Sequence, residues 1–499
     1  MTVVEREIKL AAPPASALPP LSDPLAGVVA EPAGTLYLLA VYYDTDDLRL
    51  TRARASLRHR NDEGWAVKLP RADAGGDGRL DRTTYAVPGE AGSPPAEALE
   101  LVRALTRSAS VGPVARLRTT RRAVRLRTTS GAPIGEVVDD DVAVLGGDGP
   151  VRAFRELEFE LADDAPEAQA AAIVARLRAA GAGPPDPTPK IVRALGPRAA
   201  GPPDIAPASG PARTVGDVVR AALATPVARL VAHDPGVRRG EDPEDVHQAR
   251  VATRRLRSHL RTFLPLVDET WAEALRDELG WLGGALGAVR DADVLLDRLE
   301  ERIAHLPGPD RAAAGQLLEA LRAERERART ALLGALRSHR YAVLLDRLVD
   351  AARQPRLLPR HDGEPDEDVL RGLVRRAWDH QAAAVERLAD EPADEELHAV
   401  RKRAKRARYA AEAVEPAFGK PARALAHALT EVQDVLGEHQ DAVVAAQWLR
   451  DAAAGTADAG VAFAAGELAM QEQEAASRGR RAWPSTWRDA SRKKLRHWL

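Results

Sequence analysis

The sequence predicts an α+β chain: an antiparallel sheet or barrel over roughly the first 200 residues, then an all-α region of two duplicated helical bundles. Three observations predict it. Up to about Leu161, short runs such as VEREIKL, YLLAVYYD and WAVKLP alternate between Gly, Pro and Asp turns, which is the period of two that strands require. From Thr214 onward, apolar residues recur every three or four positions, the period of an amphipathic helix. Two segments of that second half also repeat one another without gaps, at offsets of 151 and 150 residues.

The remaining strand candidates, in order, are ASLRHR, DRTTYAV, ARLRTTRRAVRLRT, GEVVDDDVAV and FRELEFEL. Helices are expected over Pro95–Thr106 and Glu167–Ala179. Residues 198–213, GPRAAGPPDIAPASGP, have the composition of an interdomain linker. Breaks in the helical half are expected near 234–243, 307–309 and 359–366. The chain therefore divides into residues 1–197, a linker over 198–213, and residues 214–499, whose halves span about 214–355 and 366–499.

At 499 residues the chain is too long for one core, and with 45% hydrophobic and 29% charged residues its composition is globular. A formal charge of -2 conceals 72 basic and 74 acidic side chains, so any grip on an anionic polymer has to come from local clustering. The chain has no cysteine, which excludes disulfides, thiolate zinc sites and cysteine nucleophiles. Metal chemistry would fall to carboxylates and histidines, which suit hard cations such as Mg²⁺ or Mn²⁺ where carboxylates dominate. Four charged residues among the first ten argue against a signal peptide, and no apolar run reaches the ~18 residues of a membrane span. The expectation is a soluble, cytoplasmic protein.

Alternate strand residues share a face, so charges at i, i+2 and i+4 converge. Glu5, Glu7 and Lys9 do this. So do Arg58 with Arg60, Arg118 with Arg122, Glu136 with Asp140, and Glu156 with Glu158 and Glu160. One such strand is indistinguishable from a solvated surface strand, but here five strands carry charge in register, and some carry only acids and others only bases. Two like charges about 4 Å apart repel by about 4 kcal/mol at an effective dielectric near 20. Rows of one sign facing rows of the other suit a space filled by an anion chelated to a cation.

These residues resemble the CYTH family. EREIK fits its ExExK signature at Glu5, Glu7 and Lys9, and further matches follow in order: YYDT (Tyr42–Thr45), LRHR, WAVKLP with Lys68, the basic strand, EVVDD, RELEFE, and PKIVRAL with Lys190. The resemblance implies an eight-stranded antiparallel barrel whose polar tunnel hydrolyses a triphosphate, with Glu5, Glu7 and Lys9 as the catalytic signature. It implies Lys9, Arg58, Arg60, Lys68, Arg118, Arg122 and Lys190 as phosphate contacts. Glu5, Glu7, Glu136, Asp140, Glu156 and Glu158 would hold Mg²⁺ or Mn²⁺. Asp140 is taken over Asp139 because only it shares a face with Glu136. Thr84 departs from the pattern, since many relatives carry a Glu at that position.

In the helical half, HQARVATRRLR from His247 matches HAVRKRAKRAR from His398, and LGAVRDADV from Leu286 matches LGEHQDAVV from Leu436. His247, Arg250, Arg254 and Arg257 form a helical stripe that His398, Arg401, Lys405 and Arg408 repeat. No acid occurs from Val246 to Thr262 or from Leu397 to Ala411, whereas a solvated face normally mixes signs at i,i+4. Only Tyr409 is interleaved as a base-stacking aromatic, which favours an anion without bases over nucleic acid. Metal binding by the histidines lacks a second ligand at i+4. Arg290 and Asp291 read as packing residues, and SRKKLRHWL at the C-terminus either extends the patch or caps the last helix.

This pattern resembles the CHAD domain, which implies binding of polyphosphate between the helical halves and possible association with polyphosphate granules. The combined expectation is a metal-dependent inorganic triphosphatase tethered to polyphosphate. The alternatives are a non-catalytic polyphosphate-binding module, or a hydrolase or cyclase of a nucleoside or thiamine triphosphate.

Overall fold

The computed structural model describes residues 2–13, 18–21, 27–70, 80–146, 149–206, 212, 214–359 and 366–499, with the side chains of 2–5, 80 and 81 excluded. They form two compact units, Met1–Asp204 and Ile205–Leu499.

The first unit is built on eight strands: β1 (Thr2–Ala12), β2 (Val28–Asp44), β3 (Ser56–Arg60), β4 (Gly64–Pro70), β5 (Leu80–Val87), β6 (Gly112–Thr128), β7 (Pro133–Gly146) and β8 (Gly149–Leu161). They pair antiparallel in the order β1-β5-β4-β3-β2-β6-β7-β8, and β8 returns to β1, so the sheet closes into a barrel without free edges. Short helices decorate it: α1 (Arg49–Arg52), α2 (Ala96–Leu101), α3 (Arg103–Thr106), α4 (Glu167–Ala179) and α5 (Lys190–Leu195). The helix expected over Pro95–Thr106 is thus broken between α2 and α3.

This barrel is apolar outside and charged inside. On one outer side Leu10, Leu126, Val137 and Phe159 pack under Ile173 and Leu177 of α4. On another, Leu57, Trp65 and Val67 pack under Ala98 and Leu101 of α2. The helices bury the outward apolar row, which frees the inward row for polar work. At one end the interior turns apolar: Ala40, Leu117, Val142 and Val144 pack against Ile191 and Ala194 of α5. That plug brings Lys190 to the tunnel.

The second unit is helical: α6 (Val215–Arg239), α7 (Pro243–Thr262), α8 (Glu269–Ile303), α9 (Gly308–Arg337), α10 (His339–Arg353), α11 (Glu367–Val385), α12 (Asp394–Phe418), α13 (Lys420–Gly455) and α14 (Ala459–Ala490). The duplication is visible in the helix starts: α7 and α12 begin 151 residues apart, as do α8 and α13. In one half α7 packs between α6 and α8, in the other α12 packs between α11 and α13, and α12 also meets α6 and α7. Leu296, Leu299, Leu317 and Leu321 of α8 and α9 join Leu449, Ala465 and Leu468 of α13 and α14 in one core. No helix of the described residues is long and apolar enough to cross a membrane.

The break expected near 234–243 falls at 240–242: α6 runs through Asp234 and Pro235 to Gly240, whose left-handed φ of 70° ends it, and α7 begins at Pro243. Asp234 turns its carboxylate inward, accepting hydrogen bonds from Arg238 (2.7 Å) and Tyr341 (2.8 Å). The first unit runs on to Asp204, which Arg107 (2.7 Å) and Arg52 (3.3 Å) pin to the barrel side. Of the expected linker, residues 207–211 and 213 lie outside the described residues, as do 360–365 of the last expected break.

Candidate functional site

Strand register decides which side chains enter the barrel. Lys9 stands opposite Glu158 and Glu7 opposite Glu160 across β1 and β8. Asp140 stands opposite Glu156 across β7 and β8, and Arg121 opposite Asp140 across β6 and β7. On the other side Tyr42 faces Arg58, Ser56 faces Lys68, and Lys68 faces Thr84. The result is a cavity of about 150 Å³ with two walls of opposite character. One carries Arg58, Arg60, Lys68 and Arg82; the other carries Glu7, Glu158 and Glu160, with Lys9, Arg121 and Lys190 set among them.

The acidic wall is buried and densely paired. Glu7, Asp140, Glu156 and Glu158 are each at most 5% exposed. Lys9 donates to Glu158 and Arg82 to Glu7. Lys190 donates to Asp140 at 2.6 Å and lies 3.2 Å from Glu156. Arg121 donates to Asp140 (2.8 Å) and Glu158 (3.0 Å). Burial alone would neutralise Glu158, but Lys190, Lys9 and Arg121 hold it well below the ordinary glutamate value. Glu156 ends on the other side: burial raises it, only partly opposed by Lys190 and Lys9. Burial also works against the Lys190 ammonium, and Glu158, Asp140 and Glu156 outweigh it, keeping the lysine charged.

Carboxylate oxygens converge in two groups, Glu7–Glu158–Glu160 and Asp140–Glu156–Glu158, each within 4.8 Å. Both oxygens of Glu156 are buried without a hydrogen-bond donor. A hard divalent cation fits such donors, and Lys9 and Lys190 stand beside them, at 3.8 and 3.2 Å from Glu156.

Several expected residues stand in the tunnel: Glu7, Lys9, Arg58, Arg60, Lys68, Asp140, Glu156, Glu158 and Lys190. Glu5 lies opposite Arg82 in register, and its side chain falls outside the described residues. Arg118 and Arg122 need correction. Both point out of the barrel, and Arg122 pairs with Asp139 (3.3 Å) and Asp141 (3.1 Å). The reason is parity: pairing with β7 puts odd-numbered β6 residues inside, so Arg121 is the inward arginine. Glu136 is also set apart, at the strand end beside Arg125 (3.5 Å) and in neither carboxylate group. Arg82, Arg121, Tyr42 and Glu160 were not among the expected contacts. Arg82 and Glu160 were recoverable from the periodicity of strands already recognised.

In the helical unit the two basic stripes face one another. Lys405 of α12 lies among Arg254, Arg401, Arg250 and Arg408, and burial together with those charges lowers its pKa to about 7. Asp291 pairs with Arg250 at 2.9 Å. His247 and His398 sit at the stripes' ends, where burial and neighbouring cations keep them neutral. Arg257 lines a cavity of about 270 Å³ with Arg254 and Lys405. At the C-terminus Trp498 packs on Phe418 with ring centres 5.0 Å apart.

Comparison with known proteins adds the following. The CYTH domain family model matches residues 4–186 and the CHAD domain family model residues 221–450. An uncharacterized protein of Mycobacterium tuberculosis strain CDC 1551 is 34% identical, over 93% of this chain and 92% of its own. Among solved structures, PptA from Streptomyces chartreusis aligns with 56% of this chain and 100% of its own at 26% identity and TM-score 0.46. The CHAD domain from the plant Ricinus communis aligns with 56% of this chain and 95% of its own at 30% identity and TM-score 0.44.

Proposed function

We propose, for a chain that belongs to the family joining a CYTH domain to a CHAD domain, that the barrel hydrolyses inorganic triphosphate with a divalent metal and that the helical unit binds inorganic polyphosphate. The CYTH domain makes the chain a hydrolase or lyase in general terms. The observation that carries the finer reading is the tunnel's division into a cationic and a carboxylate wall across one small cavity. Its described lining holds one aromatic, Tyr42, whose hydroxyl already lies 3.4 Å from the Arg58 guanidinium.

In this reading Arg58, Arg60, Lys68 and Arg82 hold the phosphoryl oxygens, and arginine forks suit that because they meet phosphate bidentately. Glu63 and Asp62 of the β3–β4 turn occupy Arg58 and Arg60 meanwhile, at 2.5 and 2.6 Å. Glu7, Glu158, Glu160, Asp140 and Glu156 would hold Mg²⁺ or Mn²⁺. Such a cation offsets charge developing on the phosphoryl oxygens, the principal demand of phosphoryl transfer. A water oxygen attacks the terminal phosphorus, the anhydride P–O bond breaks, and pyrophosphate leaves. A carboxylate of this wall that the cation leaves free takes the water's proton.

The test compares kcat/KM for tripolyphosphate, ATP and thiamine triphosphate with Mg²⁺ or Mn²⁺. Tripolyphosphate should lead clearly. A lead for ATP, or formation of cyclic AMP, would replace this reading with a nucleotide-directed one.

A further inference from the structure

The duplicated halves correspond residue by residue, and they differ where the basic groove leaves its centre. The correspondence rests on packing as well as on sequence. A side chain added at Gly287 would meet the Arg250 guanidinium at 3.7 Å, and one added at Gly437 would meet that of Arg401 at 3.5 Å. Likewise Arg257 lies over Gly280, and Arg408 lies 3.5 Å from the hydroxyl of Thr430. The offsets are therefore 151 between α7 and α12, and 150 between α8 and α13.

With these offsets, Arg261 of the first half corresponds to Glu412 of the second, and Arg276 to Ala426. Arg261 and Arg276 line the 270 Å³ cavity together with Arg257, Lys402 and Arg406, and no carboxylate is among its described lining residues. Glu412 and Ala426 line a separate cavity of about 580 Å³ on the other side, with Arg255 and Glu415. There Glu412 lies 3.1 Å from Arg255 and 3.4 Å from Arg408, and Glu415 lies 2.6 Å from Arg423. In the first arm Arg276 is paired with Glu273 of its own helix, but no described carboxylate reaches the cavity between Arg257, Arg261 and Lys402; in the other arm Glu412 and Glu415 stand in the cavity itself, against Arg255 and Arg423.

From this we infer that the polyphosphate site is one-armed. A bound chain runs from the shared centre at Arg250, Arg254, Arg401 and Lys405 into the arm of Arg257, Arg261 and Arg276, and Glu412 bars it from the other arm. Glu412 is then a specificity-determining residue that limits how many phosphates are held at once. The inference rests on the proposed polyphosphate binding by the helical unit and adds direction and extent to it.

The experiment titrates the full chain with long-chain polyphosphate in EDTA at several salt concentrations, where the slope of log affinity against log salt counts phosphate contacts. Single-stranded nucleic acid, at about 0.7 per contact, is the nearest guide. Arg261→Glu should weaken binding at least tenfold and flatten the slope, and Arg276→Ala should flatten it with a smaller loss. Glu412→Gln should tighten binding several-fold and steepen the slope, because Arg255 and Arg408 are released to phosphate. Thermal melts of each variant check that it is folded. Wild type that fails to bind removes the binding reading and this inference together. Wild type that binds, with the slope unmoved by Arg261→Glu and Arg276→Ala or by Glu412→Gln, leaves the binding reading intact and overturns the one-armed site.

Discussion

Arg118 and Arg121 sit three residues apart on one strand and meet opposite worlds. Arg121 is held between Asp140 and Glu158 inside the tunnel, while Arg118 faces outward. Arg121→Ala should therefore lower kcat/KM for tripolyphosphate by about a hundredfold or more, the usual effect of removing one charge-stabilising donor. Arg118→Ala should stay within about twofold of wild type, a surface substitution of the ordinary kind. Steady-state kinetics on both variants checks the assignment, with circular dichroism confirming the fold. Lys405 carries the second residue-level prediction. Its folded pKa of about 7 lies below the 10.5 of an unperturbed lysine, so the unfolded chain holds the extra proton between those values. Its contribution to stability consequently rises with pH across that window. A polyanion prefers the protonated form, so binding near pH 8 should take up a proton. Affinity should fall by up to tenfold per pH unit above 7. Calorimetry in buffers of different ionisation enthalpy measures the uptake, and Lys405→Arg should abolish it.

At the scale of elements, the strands and paired helices were legible because their periods are written in residue types. The opening signature, the RELEFE strand and the repeated His-Arg helix each carry a period of two or 3.6 that burial later respects. What the sequence left open was parity in β6. TTRRAVR offers arginines on both faces, and only pairing with β7 decides that Arg121 turns inward. The break after α6 falls at the end of its expected stretch for a related reason: Tyr341, over a hundred residues away, gives Asp234 a buried partner and keeps it helical. Gly135 supplies the element-level prediction. It holds φ at +152°, and a Cβ there would meet the carbonyl oxygen of Glu160 at 2.1 Å, so β7 and β8 can approach only because it is glycine. Gly64, at the β3–β4 turn with φ +74°, has open space around it. Gly64→Ala should cost about 1–2 kcal/mol from the left-handed backbone alone. Gly135→Ala should cost more, because an overpacking clash of about 1–3 kcal/mol adds to its backbone strain. Thermal unfolding of the two variants compares them directly.

At the scale of the molecule, the chain divides into units that each bury their own core, the barrel under α2, α4 and α5, and the helices around the α8–α9–α13–α14 cluster. Residues 1–204 alone should retain tripolyphosphate hydrolysis, and residues 205–499 alone should bind polyphosphate without hydrolysing it; separate expression of the two pieces tests both. The central claim is that the tunnel splits a phosphoanhydride bond with the help of a divalent cation. The measurement closest to it is a phosphorus NMR time course of tripolyphosphate with the full chain, with Mg²⁺ and then with EDTA. The account predicts one orthophosphate and one pyrophosphate per molecule consumed, with turnover stopping when EDTA is added and lost in Glu158→Gln. Hydrolysis undiminished by EDTA, or by Glu158→Gln, would contradict it.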